Sequence, residues 1–279
     1  MSSLTSIQKH IVIVTTADTD ILTIERAMAT LDVPDLPNVR VFNPVSNIDN
    51  QPENDVLAAL ENAGVVVLRL LGGKSAMGET FGELVSYCRE HNIPLIACPG
   101  HQEWDEDLIS ACSVPVSELE TTFSYLMQAG VQNFGNLILF LSDSYLDRHY
   151  GHEAPEPVPW EGVYHPDTPS LLDVESHIKS HWNNGQPNIG LLFYRAHWMS
   201  GNLQFIDDLI RALESQGANV LPVFSFSLKH NPEDEAEHRD TIQKYLIDPY
   251  GISRVDCVIN TMGLAMSAVS YTHLRAHET

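Results

Sequence analysis

Two doubly wound α/β units, each a parallel sheet with helices on its faces, are what this sequence predicts, and three observations predict them. Apolar runs of strand length recur with helical patterns between them, which is how a sheet joined by crossover helices reads. A proline-dense stretch from Tyr150 to Pro169 separates two such series. The second series stops after three strands, so the second unit is expected to be truncated, because parallel strands buried on both faces need neighbours.

In the first series, His10 to Thr16 is the opening strand, and Asp18 is expected to cap a helix whose Ile21, Ile24, Met28 and Leu31 share one stripe. Val39 to Phe42 is a strand, Asp55 to Glu61 a helix, Val65 to Leu71 a buried strand, Glu79 to Glu90 a helix and Pro94 to Cys98 a strand. Ser117 to Tyr145 reads as helix in two pieces, broken near Gly130 to Gly135. Then Pro155, Pro157, Pro159, Pro166 and Pro169 forbid continuous helix or central strand.

In the second series, Leu171 to Trp182 is expected to be helical and Ile189 to Tyr194 a strand. Ser200 is expected to cap a helix with Leu203, Ile206, Ile210 and Leu213 on one face, ended by Gly217. Ala218 to Phe226 is a strand, Glu233 to Leu246 a charged helix and Val255 to Asn260 the third strand. Residues 1–149 are therefore expected to form the first domain, 150–187 a proline-rich linker and helix, and 188–268 a second, incomplete domain. Both domains are of the flavodoxin- or Rossmann-like kind. The tail Val269 to Thr279 resembles the translation of a sequencing-library adapter and is expected to be non-native.

The formal charge of -22, with only 15 Lys and Arg and no basic run, argues against nucleic acid and anionic lipid as partners. No stretch approaches the roughly 18 apolar residues of a membrane span, and the start lacks the features of a signal peptide. A cytoplasmic protein is expected. Cys88, Cys98, Cys112 and Cys257 show no CxxC spacing, which removes zinc-ribbon and redox motifs and leaves reduced, mostly buried thiols as the expectation.

Gly72-Gly73-Lys74-Ser75 follows a buried strand, but Leu68 stands where a Walker loop needs glycine, so ATP binding here is not expected. Gly72 and Gly73 are expected to turn the backbone tightly at a ligand-binding edge. Cys98 after a strand, with His165 as a base, faintly echoes glutamine amidotransferases. Pro99 directly after the thiol favours a structural cysteine instead. His177 and His181 at i, i+4, like His149 and His152, are expected to be surface histidines, since 13 histidines produce such a pair by chance.

The segment Tyr194 to Asn202 combines position and chemistry, lying between an apolar strand and a helix where open sheets bind ligands. Arg195 can grip a carboxylate through two hydrogen bonds, Trp198 can stack on a flat ring, and neutral His197 can hydrogen-bond or ligate a metal. Arg195, His197, Trp198, Asn202, Gly72 and Gly73 are thus the expected substrate contacts. His197 and His165 are the weak metal candidates, and no catalytic residue is assigned.

Four stretches in order, Leu68 to Gly73, Gly162 to Asp167, Leu191 to Trp198 and Leu221 to Phe224, resemble the large subunit of aerobic cobaltochelatase and its relatives in magnesium chelatase, the tetrapyrrole-binding H-type subunits. That resemblance implies a tetrapyrrole macrocycle as substrate. It implies ATP-dependent insertion of cobalt, a substrate metal, into a corrin-type ring, hydrogenobyrinic acid a,c-diamide, during cobalamin biosynthesis. It also implies AAA+ ATPase and integrin-like partner subunits that hydrolyse the ATP, and a parent several-fold longer than this chain, which would be inactive alone. The alternatives are an H-type magnesium chelatase component acting on protoporphyrin, a Cys98-dependent amidotransferase-like hydrolase, and a non-enzymatic two-lobed ligand-binding module.

Overall fold

The computed structural model of the chain describes residues 8–45, 52–101, 104–168, 170–226, 228 and 241–262. Two compact units, Met1–Val158 and Pro159–Thr279, make it up. The tail expected to be non-native lies outside the described residues, as do Gln102, Pro169 and the first half of the expected helix Glu233 to Leu246.

The first unit runs β1 (His10–Thr15), α1 (Asp18–Thr30), β2 (Val39–Phe42), α2 (Pro52–Ala59), β3 (Ala63–Leu70), a 3-10 turn (Gly73–Met77), α3 (Thr80–Glu90), β4 (Leu95–Pro99), α4 (Glu106–Ala111), α5 (Val116–Gln128) and α6 (Gly130–Tyr145). Its sheet is wholly parallel, in the order β2-β1-β3-β4. Every residue of β3 is buried, as expected of a strand with neighbours on both sides and helices over both faces. Val12, Val14, Val66, Leu68 and Leu95 pack on one face against Val56, Leu60, Leu84 and Leu108. The alternate residues point to the other face, where α1 and α6 lie together.

One local expectation is corrected here, and the break expected near Gly130 is found. Asp18 is the first residue of α1, with Ala17 at the cap position, and its carboxylate accepts a hydrogen bond from Asn43 at 2.6 Å. The break in the long helical stretch falls at Ala129, whose φ of 55° ends α5, while Gly135 lies inside α6.

Because the chain passes from β1 to β2 on one side and returns to β3 on the other, the sheet has a switch point between β1 and β3. A buried polar group closes its floor. Arg69 donates to Asp20 at 2.6 Å, and Thr15 donates to the second Asp20 oxygen at 2.6 Å. Leu71 N–H then donates to Thr16 Oγ1 at 2.8 Å and ties the two strand ends together.

The second unit runs β5 (Glu161–Val163), α7 (Val174–His181), β6 (Asn188–Tyr194), α8 (Arg195–Ser200), α9 (Gln204–Ser215), β7 (Asn219–Ser225), α10 (Thr241–Tyr245) and β8 (Cys257–Asn260). The sheet order is β5-β7-β6-β8, with β7, β6 and β8 parallel and β5 antiparallel. The order β7-β6-β8 repeats β2-β1-β3, so both units are wound the same way. Helix α9 packs on Leu191, Phe193 and Phe224, whereas Tyr245 of α10 packs on the opposite face with Leu192 and Val223.

The strand β5 corrects the expectation of a wholly parallel three-stranded sheet preceded by linker and helix. Its three residues fall between the prolines and sit at an edge, where only one side must pair. Gly162 is required there, since a Cβ would come within 2.9 Å of the Phe224 ring. Helix α7 is shorter than expected, beginning only after Asp173, whose side chain accepts from Ser176 N–H at 2.9 Å.

Replacing Asp20 by Ala would leave the Arg69 guanidinium buried without its partner. Chemical denaturation should show a loss of about 3–5 kcal/mol, and a loss under about 1 kcal/mol would refute the pin at the switch point.

Candidate functional site

At the carboxyl edge of the second sheet the chain leaves β6 at Tyr194 and turns at once into α8, a six-residue helix closed by Gly201 at φ 65°. Ser200 ends this helix instead of capping the next. Its hydroxyl donates to His197 O at 3.3 Å and accepts from Asn202 N–H at 3.4 Å. Leu203, Ile206, Ile210 and Leu213 do share the buried face of α9, and Gly217 follows its end at φ 81°.

Arg195 is only 1% exposed. Its Nε–H donates to the Pro159 carbonyl at 2.7 Å, and its guanidinium carbon lies 4.5 Å from the centre of the Trp160 ring, which meets Phe226 edge-on. This corrects the expectation of a carboxylate clamp, because the guanidinium is committed to the chain's own entry into β5. Trp198 is likewise committed, stacked on Phe224 at 4.5 Å and 7° and packed, partly buried, against the core that α9 covers. Asn202 is exposed just after α8.

His197 is half-buried, edge-on to Phe205 at 4.9 Å, and its Nδ1 is buried without a hydrogen-bond partner. Burial holds its imidazole below the ordinary histidine range, which favours the neutral form. Beside the turn lies a polar group that no sequence pattern announces. Glu161 accepts from Thr241 Oγ1 at 2.8 Å and from Lys244 Nζ, while Ser225 and Thr241 hydroxyls are 3.0 Å apart. Nothing in the sequence links Glu161 to Thr241, because β5 itself is not expected.

Gly72 and Gly73 take φ values of 95° and 66° after β3, as a tight turn requires. A Cβ on Gly73 would meet Asp105 Oδ2 at 2.6 Å, so close packing against the start of α4 fixes this position. Lys74 pairs with Asp107 at 2.9 Å across the exposed surface.

The hydrolase alternative is not supported by its two members. Cys98 is fully buried in β4, and burial, with Cys112 next, pushes its thiol far above the ordinary range. His165 is 3% exposed and spends both ring nitrogens within its own unit. Nε2 lies 3.0 Å from Glu214 Oε1, and Nδ1 accepts from Asp167 N–H at 3.2 Å. This also removes His165 as a metal candidate. Among the described residues no group of three or more His, Cys, Asp or Glu side chains is arranged to hold a metal ion, and His197 belongs to no such group. Cys257 is exposed and Cys112 half-buried, so only Cys88 and Cys98 are the buried thiols that were expected.

The polar residues from Tyr164 to Asp167 instead form a clamp on one face of α9. Tyr164 donates to Asp207 at 2.8 Å, His165 meets Glu214, and Arg211 forks onto both Asp167 oxygens. His177 and His181 are brought to the same place. His177 is fully buried, which corrects its reading as a surface residue, and the His165, His177 and His181 rings contact one another.

With the fold and edge defined, comparison with known proteins adds the family. The family model described as CobN/magnesium chelatase matches residues 123–279, more than half of the chain. The chain belongs to that family. It is 30% identical over 244 residues to the aerobic cobaltochelatase subunit CobN of Pseudomonas aeruginosa, covering 86% of this chain and 18% of the relative. It is 28% identical over 151 residues to the H-type magnesium-chelatase subunit of Chlorobaculum parvum, covering 52% of this chain and 11% of the relative. The catalytic subunit of cobaltochelatase from Mycobacterium tuberculosis matches in structure with a TM-score of 0.51 at 26% identity, over 81% of this chain and 17% of that one. The chain therefore spans less than a fifth of the length of these relatives.

At the carboxyl edge of the second unit Asn202 is exposed and His197 half-buried, while Arg195 and Trp198 pack inward beneath the turn. Two measurements check the assignment. Trp198→Ala should cost about 3 kcal/mol of unfolding free energy through lost core packing, whereas Asn202→Ala should stay within about 0.5 kcal/mol. A native-state alkylating reagent should label Cys257 and leave Cys98 intact by peptide mass mapping, and prompt modification of Cys98 would revive the hydrolase reading.

Proposed function

We propose that the chain is part of the tetrapyrrole-binding large subunit of an ATP-dependent metal chelatase, one that inserts cobalt into a corrin-type ring, hydrogenobyrinic acid a,c-diamide. The observation that carries this reading is the family match from Phe123 to Thr279, which takes in the whole second unit and its turn at Tyr194 to Trp198. The cobalt form is preferred because the cobaltochelatase relative aligns over more of the chain and at higher identity than the magnesium-chelatase relative. On this reading ATP is hydrolysed by AAA+ partner subunits, with an integrin-like subunit in the complex, in the cytoplasm.

Metallation requires two pyrrole N–H protons to leave the ring and the metal to lose water, work suited to histidine and carboxylate groups in a closed cavity. Within this chain His197 is the substrate contact we assign. A half-buried, neutral imidazole can hydrogen-bond a carboxylate or carboxamide at the ring periphery. Asn202 is its exposed neighbour. Arg195 is a positioning residue, since its bond to Pro159 and its packing on Trp160 set where α8 begins.

The test uses the full-length protein. His197→Ala should weaken binding of the corrin-type ring, read by its absorbance, by about tenfold, the worth of one hydrogen bond. Arg195→Ala/His197→Ala should also slow cobalt insertion in the presence of the partner subunits. A double variant with unchanged ring affinity and insertion rate overturns the site assignment, and a protein that binds protoporphyrin and inserts magnesium instead overturns the cobalt reading.

A further inference from the structure

Strand β7 is paired by β5 only at Val223 to Ser225, which leaves the carbonyls nearer its start facing the same side without a strand beside them. Tyr164 N–H reaches back to Pro222 O at 3.0 Å, and Pro222 itself has no N–H to satisfy on that side. One turn of chain further, helix α7 covers the rest. His177 Nε2 lies 2.8 Å from Val220 O, Trp182 Nε1–H donates to the same carbonyl at 3.2 Å, and Asn183 N–H donates to Asn219 Oδ1 at 2.8 Å.

A carbonyl oxygen only accepts, so His177 carries its proton on Nε2. Its Nδ1 then holds a lone pair, and that atom is buried with no partner. The ring stacks on His181 at 4.7 Å and 17°, and His181 lies 4.0 Å from His165. A second proton on His177 would therefore place a charge in a dry site against two imidazoles, with no acceptor at Nδ1.

We propose that the contact between α7 and the β7 edge is an acid-sensitive latch, in which protonation of His177 releases α7 and uncovers Val220 O and Trp182.

Of the charged groups around the latch Glu214 favours that proton, but less than burial and the two neighbouring imidazoles oppose it. The segment after β5 contributes His165 and Asp167, and α9 contributes Arg211 and Glu214. Arg211 occupies Asp167, and Glu214 hydrogen-bonds His165, so neither carboxylate bonds Nδ1. Helix α7 adds His181, Lys179 and Glu175, the last paired with Arg254 at 2.7 Å. Burial is the largest influence on His177 and pushes its imidazole down to about 4. The sign follows: the folded state favours the neutral ring, so the latch contributes fully above the free-imidazole value of 6.5 and loses strength as pH falls from there towards about 4.

Amide hydrogen exchange on the intact protein reads the opening of α7. After correction for intrinsic rates, peptides covering 174–183 should open roughly 30-fold more at pH 5 than at pH 7.5, while α3 in the first unit stays within about threefold. Equal pH dependence in the two helices overturns the latch. His177→Gln keeps a donor for Val220 O but takes no proton, so it should abolish the excess opening, and a variant that keeps it overturns His177 as the sensor. Should that variant fail to fold, the wild-type His177 Cε1–H and Trp182 indole N–H resonances decide. Shared midpoints between pH 4 and 6.5 are expected, and titration of His177 with an unmoved Trp182 overturns the proposal.

Discussion

In each unit one central strand takes a parallel neighbour on both sides and the chain leaves it first one way and then the other. The carboxyl edges of both sheets depend on that constraint. Between β1 and β3, and again between β6 and β8, the crossovers part and leave an opening at the carboxyl ends of the strands. An opening of that kind exposes strand ends whose polar groups need partners, and each unit supplies an arginine there. Arg69 satisfies Asp20 beneath the first opening, and Arg195, at the end of β6, reaches across to Pro159 and Trp160 on the β5 side. Both are inward-facing anchors. A buried guanidinium with its bonds already made is poorly placed to receive a substrate carboxylate, because new contacts would have to replace old ones at full desolvation cost.

The second unit meets a further demand, since β7 is longer than the strand that pairs its outer side. Backbone carbonyls buried without partners are costly, so the uncovered length must be met by other donors. Tyr164 N–H, the His177 imidazole and the Trp182 indole supply them in turn along the edge. This explains why Pro222 is tolerated inside a strand with neighbours on both sides. Its carbonyl bonds Tyr164 towards the β5 side, and the missing N–H lies on that same side, where β5 has already ended.

How far the sequence foretold this depends on how local each signal is. The strands β3 and β6 and the buried face of α9 were legible because apolar runs and helical spacing are local patterns. Gly217 was legible as a helix stop for the same reason. Strand β5 was not, because three residues among prolines carry no periodicity, and it pairs with β7 and packs Gly162 under Phe224 only once α7, β6, α8 and α9 have folded between them. The histidines show the same limit in the candidate site. His177 and His181 were visible as an i, i+4 pair, but only the fold brings His165 beside them. It does so through a clamp between Tyr164, His165 and Asp167 and the face of α9 bearing Asp207, Arg211 and Glu214. Chemistry read from residue type alone assigned Arg195 and Trp198 to a ligand, and burial reassigns them to the scaffold.

On the proposed reading, a ring as broad as a corrin cannot be gripped by one six-residue helix, so any contact from α8 must be one of many. For such a contact, placement matters more than strength, because a misplaced donor strains the ring against groups supplied from elsewhere. Holding α8 by a buried Arg195 and by Trp198 stacked on Phe224 of β7 fixes its position from beneath and leaves Asn202 exposed and His197 half-buried. The neutral state of His197 fits the same logic. On that reading it carries no charge to be desolvated when a ring closes over it.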